Sequence, residues 1–252
     1  MPCCPGRAQG STLTPITVTT NKAGRPVKAG KRSIAVAITP DGKTAYVAGF
    51  GSGSITPINT ATNKAGNPIT VRGAPQISAD SDFIAITPDG KTAYVPDFNA
   101  GTVTPVNTAS NAPGQPIHVG GSPLTWIAIT PDGKTAYVAS ESGTVTPINT
   151  ATNKAGTPIQ VSGTPKQIAL TPDGKTAYVA SAGSVIPIRT ATNTPGTPIR
   201  TGSNPVIAIT PDGKTLYAAS AGSVIPISTA TNTPGTPIHI GGTSPPAIAI
   251  AP

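Results

Sequence analysis

Cysteine is almost missing from this 252-residue chain. The only two are the neighbours Cys3 and Cys4, which cannot staple distant segments together, so the fold does not lean on disulfides. No further Cys or His stands nearby at ligand spacing, and the pair reads as incidental rather than as a metal or redox site. Charged residues make up only 10% of the chain, and no run of 18 apolar residues occurs, so no helical membrane span is expected. The first ten residues, MPCCPGRAQG, lack the apolar stretch of a signal peptide. Histidine occurs only at positions 118 and 239, and there is no G-x-S-x-G, H-E-x-x-H or P-loop motif. Ser and Thr are abundant, but abundance without a positioned base is not a nucleophile. No catalytic residue and no cofactor is therefore expected.

Acids are scarce as well, and the formal charge is +8. Asp41, Asp89, Asp132, Asp173 and Asp212 are each followed two residues later by a lysine, so these pairs cancel. Six of the remaining bases (Arg7, Lys22, Arg25, Lys28, Lys31 and Arg32) fall within the first 32 residues, which contain no acid. The excess is local, and Arg25, Lys28, Lys31 and Arg32 form a candidate patch for an anionic partner. Aromatic interleaving for base stacking is missing, which disfavours nucleic acid.

What the chain has in quantity is repetition. TPDGKTAYV begins at Thr39, Thr87, Thr130 and Thr171, with the variant TPDGKTLYA at Thr210. Two further markers occur six times each: (T/I)P(I/V) around Pro15, Pro57, Pro105, Pro147, Pro187 and Pro226, and GxP(I/V) around Pro26, Pro68, Pro116, Pro158, Pro198 and Pro237. Within one unit, Gln167 to Thr171 reads as a strand, Pro172-Asp173-Gly174-Lys175 as a tight turn, and Thr176 to Ala180 as the returning strand. Ser184 to Thr190 reads as a third strand, Ala191 to Gly196 as a second turn and Thr197 to Arg200 as a short outer strand. Four antiparallel strands per unit, with no sustained helical periodicity, describe a propeller blade.

The predicted fold is all-β: a closed six-bladed β-propeller of four-stranded antiparallel blades. Residues 1–10 form an irregular segment and 11–252 a single domain. The chain opens on third-strand text, Ser11 to Thr17, and finishes on first-strand text, Ala247 to Ala251, so the closing blade is expected to be split between the termini and short. The third-strand prolines should turn their missing donor away from a neighbour or sit at a bulge. The GxP motifs should blunt the outer edge.

IAITPDGKTAYVA followed by GTVTPINTATN resembles the YVTN-type propeller repeat of bacterial and archaeal surface-associated proteins, over roughly residues 11–252. The resemblance implies the propeller fold and an extracellular or cell-surface location. The proline in every third strand departs from the family's pattern. Some propellers of similar repeat are lyases that pair a His with a Glu near the axis, whereas His118 and His239 fall on outer strands here, which counts against an enzyme.

Strand direction places the TPDG and TATN turns on one face, and the second-to-third and inter-blade loops on the other. The second face is where the repeats disagree: residues 72–82, 96–100, 120–125 and 140–142. Asp80, Asp82, Asp97 and Glu141, all the acids outside the turns, lie in these loops, with Phe83, Phe98 and Trp126 beside them. Asp80, Asp82, Asp97, Phe98, Trp126 and Glu141 are the candidate ligand-binding residues. They suit a cationic or sugar-like ligand, or a divalent ion if enough oxygens converge. The leading expectation is a monomeric, non-catalytic binding or scaffold propeller that presents this face to a small molecule, glycan or protein. Two alternatives stand beside it: a metal-dependent lyase or hydrolase using Asp97 or Glu141 as general base, and a structural repeat module of a longer surface protein.

Overall fold

In a computed structural model the described residues are 12–30, 33–49, 53–71, 84–242 and 248–250. Among the described residues the chain forms the antiparallel sheets of a multi-bladed β-propeller: five sheets of four strands each, the outer strand being in two pieces, and two two-stranded sheets. It divides into two compact units, Met1–Pro116 and Ile117–Pro252.

Blade 3, in the second unit, shows how the repeat is read. Its strands are Leu124–Ile129, Thr135–Ser140, Thr144–Asn149 and an outer strand in two pieces, Lys154–Ala155 and Ile159–Gln160. Blade 4 repeats the plan with Gln167–Leu170, Thr176–Ser181, Ser184–Arg189, and Thr194–Pro195 with Ile199–Arg200. Blade 5 has Val206–Ile209, Thr215–Ser220, Gly222–Ser228, and Thr233–Pro234 with Ile238–Gly241. The outer strand thus starts earlier than the sequence suggests, and the GxP motif falls in its interruption.

The TPDG turn closes the first hairpin by two locks. In blade 4, Gly174 N–H donates to Thr171 O at 2.8 Å, and the left-handed backbone at Gly174 (φ 69°) lets the chain leave the type I turn without splaying the strands. Asp173 Oδ1 accepts from Thr171 Oγ1 at 2.7 Å and from Lys175 N–H at 3.0 Å. Thr190 Oγ1 then donates to Gly174 O at 2.7 Å, tying the third-to-outer turn to the first. Aspartate at this position is consumed by turn formation in every whole blade, and the side-chain hydrogen bonds hold its carboxyl below the usual range.

The second and third strands are covered on both faces, so they read as continuous apolar runs. Tyr137 and Ala139 of blade 3 pack with Ile168, Ala177 and Val179 of blade 4; Tyr178 and Ala180 of blade 4 pack with Ile207, Leu216 and Ala218 of blade 5. Each tyrosine ring lies against a neighbouring blade that offers alanine in the same cluster, a large-against-small match. The hydroxyl continues the link. Tyr137 Oη donates to Asn193 Oδ1 at 2.7 Å and Tyr178 Oη to Asn232 Oδ1 at 2.6 Å. Both asparagines sit at positive φ, so one residue makes the left-handed turn and receives the neighbour's hydroxyl.

The proline of the third strand faces the interruption of the outer strand. Pro147 O accepts from Gly156 N–H at 2.7 Å, so the missing donor of Pro147 falls on the same edge, where the outer strand is broken. A Cβ at Gly156 would stand 3.1 Å from Pro147 Cγ, which explains why glycine accompanies proline here. The same pairing recurs in all six repeats, down to Pro15 and Gly24.

The first unit holds blade 1 (Ser33–Ile38, Thr44–Gly49, Ser54–Asn59, Lys64–Ala65 and Ile69–Thr70). It also holds blade 2 (Ala85–Ile86, Thr92–Asp97, Thr102–Asn107 and Ala112–Pro113). Tyr46 of blade 1 repeats the link to the next blade, donating to Asn111 Oδ1 at 2.7 Å. Before blade 1, Thr12–Leu13 pairs with Val27–Lys28 and Ile16–Thr17 with Lys22–Ala23. These two small sheets are the third and outer strands of a further blade, the part of the split blade expected from the N-terminal segment, and Val27, Ala29 and Leu13 pack against Ala45, Val47 and Ile58 of blade 1. The expected pairing of the Ala247 to Ala251 segment lies partly outside the described residues; residues 248–250 carry no strand.

Candidate ligand-binding site

The last position of the second strand is where the blades differ in chemistry. Blades 3, 4 and 5 place Ser140, Ser181 and Ser220 there, blade 1 places Gly49, and blade 2 places Asp97. The serines are buried and find local partners. Ser181 Oγ donates to Ser162 O at 2.6 Å, Ser220 Oγ donates to Thr201 O at 2.8 Å, and Ser140 Oγ lies 2.9 Å from Ser142 Oγ. Asp97 brings two carboxyl oxygens to this position in place of the serine hydroxyl.

Asp97 is 4% exposed. Its Oδ1 accepts from the N–H groups of Asn99 and Ala100, each at 3.1 Å, which fixes the plane of the carboxylate. Its Oδ2 is buried and has no hydrogen-bond partner. The next residue, Phe98, is half-buried against the cluster that contains Tyr46, Ile55, Ile69, Ile84 and Val106.

In the second unit, Trp126 lies on the inner strand of blade 3, half-buried against the cluster around Tyr137 and Ile168. The corresponding residue of blade 4 is Gln167, a residue that sequence reasoning missed. Its amide donates to Ile207 O at 3.1 Å and accepts from Ile207 N–H at 2.8 Å, fastening the inner strands of blades 4 and 5. Thr125 beside Trp126 donates to Pro165 O at 2.9 Å. Trp126 thus occupies an inter-blade position, filling it with apolar area rather than an amide.

Glu141 is not a free carboxylate. It forms an ion pair with Lys166, from the linker into blade 4, and its own N–H donates to Pro123 O at 2.8 Å. Lys166 gave no signal in the sequence because its partner is 25 residues away in a different blade. Asp80, Asp82, Lys31 and Arg32 lie outside the described residues. Arg25 and Lys28 are exposed, and His118 and His239 are exposed on the strands Ile117–His118 and Ile238–Gly241. Among the described residues no three His, Cys, Asp or Glu side chains are grouped as metal ligands.

On the turn side, a recess of about 240 Å³ between blades 3 and 4 is lined by Thr130, Asp132, Lys134, Asp173, Gly174 and Thr190. Its carboxylates are already held by their own turns, Asp132 by Thr130 and Lys134 N–H and Asp173 by Thr171 and Lys175 N–H. Asp97 stands apart because its second oxygen is held by nothing.

No known family profile matches the chain, and no curated protein matches it. Solved structures do. The chain is similar to Kuenenia stuttgartiensis hydrazine synthase, with a TM-score of 0.70 and 26% identity, covering 80% of this chain and 64% of that one. It is also similar to a functionally unknown protein from Desulfotomaculum acetoxidans DSM 771, with a TM-score of 0.71 and 19% identity over 93% of this chain and 82% of that one. The chain therefore spans less than two thirds of the hydrazine synthase chain. With 1649 solved chains matching, the architecture is common property, and function has to be argued from the site.

Proposed function

We propose that this chain is a non-catalytic binding or scaffold propeller whose second-to-third and inter-blade loops present the binding surface. The repeated polar residues of the described blades are committed to the fold. Turn aspartates close hairpins, blade tyrosines link to neighbouring asparagines, and strand prolines are matched to glycines. What is left for recognition is the set of residues that break the repeat, and the observation that carries this reading is the buried, half-unpaired carboxylate of Asp97 where three other blades use serine. The resemblance to YVTN-type repeats supports a surface-associated setting, in which such loops would meet a glycan, a small molecule or a protein.

The test is a capture screen of the parent chain against glycan, metabolite and protein panels, repeated with Asp97→Ser, Trp126→Gln and Glu141→Ser combined. The combined variant should lose the ligand found with the parent while keeping the parent's β-sheet circular dichroism. Binding that survives in the folded variant overturns the proposal.

A further inference from the structure

The two small sheets ahead of blade 1 repeat a third and an outer strand without the second strand that stands beside them elsewhere. In blades 3 and 4 the third strand is paired on both edges, with the second strand on one side and the outer pieces on the other. Thr12–Leu13 and Ile16–Thr17 pair only with the outer pieces Val27–Lys28 and Lys22–Ala23, and Pro15 O accepts from Gly24 N–H on that same edge at 2.8 Å. Among the described residues no strand lies along the inner edge. We infer that this edge accepts an extended strand from another polypeptide, and that the strand has the chemistry of the repeat's own second strand, Thr-Ala-Tyr-Val-Ala.

Three observations within the first unit define the occupant. An unpartnered strand edge offers main-chain donors and acceptors to an incoming strand, which supplies affinity without selecting a sequence. Apolar cover selects the side chains. Between blades 3 and 4 one cluster joins Tyr137 and Ala139 of a second strand, Val145 and Ile159 of the third and outer strands, and Ile168, Ala177, Val179 and Ile188 of the next blade. At the N-terminal sheets the counterparts Leu13, Val27, Ala45, Val47 and Ile58 form the same cluster without the tyrosine and alanine, so the open edge is continuous with an interface already built. Val36 on the inner strand of blade 1 is left 50% exposed, whereas Ile168 and Ile207 at the same register are buried. The hydroxyl selects tyrosine. Tyr137 and Tyr178 donate to Asn193 and Asn232 beside the carbonyls of Thr190 and Thr229. Asn63 makes the same left-handed turn (φ 53°) beside Thr60 O, and among the described residues no tyrosine donates to either. In blade 3, Tyr137 stands opposite Pro147 and Ala139 opposite Val145, so the incoming tyrosine stands opposite Pro15 and its alanine opposite Leu13. A second copy of this chain is not the donor, because all five of its second strands are already paired between a first and a third strand.

The experiment titrates the whole chain into a fluorescently labelled synthetic peptide that copies residues 130–140 and follows its anisotropy. Binding should saturate at about one peptide per chain. The same peptide with phenylalanine in place of tyrosine should bind about fivefold more weakly, the loss of one hydrogen bond. On Asn63→Gly, which keeps access to the left-handed turn, the difference between the two peptides should shrink. Val36→Asp changes a half-exposed position, so the variant should keep the parent's circular dichroism while binding at least about tenfold more weakly, because the incoming strand would bury the charge. The absence of saturable binding by the folded parent overturns the inference, and a terminal segment of this chain seated on the edge would give that result. Binding that is unchanged both by Val36→Asp and by the phenylalanine peptide overturns it as well, since the peptide would then lie elsewhere.

Discussion

Thr201 differs from its counterparts by one atom type. Blades 1 and 2 are followed at this register position by the buried Val71 and Val119, and blade 3 by Val161, whereas blade 4 is followed by a threonine that is 1% exposed and whose Oγ1 has no partner. Its main-chain carbonyl, which receives Ser220 Oγ at 2.8 Å, does not depend on the side chain. A buried hydroxyl without a partner costs about 1–3 kcal/mol, and valine has nearly the same shape. Thr201→Val should therefore stabilise the chain by about 1 kcal/mol, read as a rise of about 2–4 °C in Tm. An unchanged or lower Tm would mean that the hydroxyl is satisfied in solution. The inter-blade tyrosines point the other way. Tyr178→Phe keeps the ring in its cluster but removes the 2.6 Å bond to Asn232 Oδ1, and should cost about 1 kcal/mol. Asn232→Gly keeps access to the left-handed turn while deleting the same acceptor, so the two costs should not add in a double-mutant cycle. Full additivity would show that the bond contributes nothing.

The strand edge of each blade is a two-residue device. Pro147 removes a donor from the third strand at the point where the outer strand is interrupted, and its ring fills the space above Gly156, leaving 3.1 Å for any Cβ. Gly156→Ala must push ring or strand aside and should cost about 1–3 kcal/mol. Combining it with Pro147→Thr removes the obstructing ring, so the double variant should be less destabilised than Gly156→Ala alone in thermal melts; a double variant that is worse would locate the glycine's role elsewhere. Here lies the boundary of what could be read from the chain. Hairpins and blade spacing were legible because TPDG carries its turn chemistry within six residues, and the period repeats it. Proline and glycine were visible as punctuation, but their contact across strands was not, since neither spacing nor type reveals which ring atom faces which Cα. Tyrosine and asparagine were visible too, as a β-former and a turn residue, while their bond joins positions 65, 56 and 54 residues apart for Tyr46, Tyr137 and Tyr178. Asp97 was legible as an acid that breaks the repeat. Its burial and its unpaired oxygen came only with the strand register.

Across the molecule the repeat multiplies small electrostatic effects into a pH profile with two unequal limbs. Five turn aspartates have their carboxyls held below the ordinary value of 3.8; a threonine hydroxyl is the largest cause in four, and the Lys175 N–H in Asp173. A folded pKa below the unfolded one means the stabilisation is present above about pH 4 and is lost as pH falls through the folded value. These carboxyls are exposed, so each contributes little, and because hydrogen bonds rather than the neighbouring lysines dominate, the acid limb should persist in high salt. At the other end, burial pushes the Tyr94, Tyr137 and Tyr178 hydroxyls from 10.0 up to about 12, and raises Tyr46 as well. The neutral phenol is the form the fold prefers, so this contribution is complete below pH 10 and disappears as pH rises towards 12. Buried groups are poorly screened, so the alkaline limb should be the steeper of the two. Thermal melts across the pH range should show a plateau from about pH 5 to 9, a shallow fall below about pH 4 and a steep one above about pH 10. Tyrosinate absorbance for these residues should rise together with loss of the β-sheet signal. Ionisation of all of them near pH 10 in a chain that stays folded would mean that the tyrosine hydroxyls are open to solvent and that the links between neighbouring blades are not made.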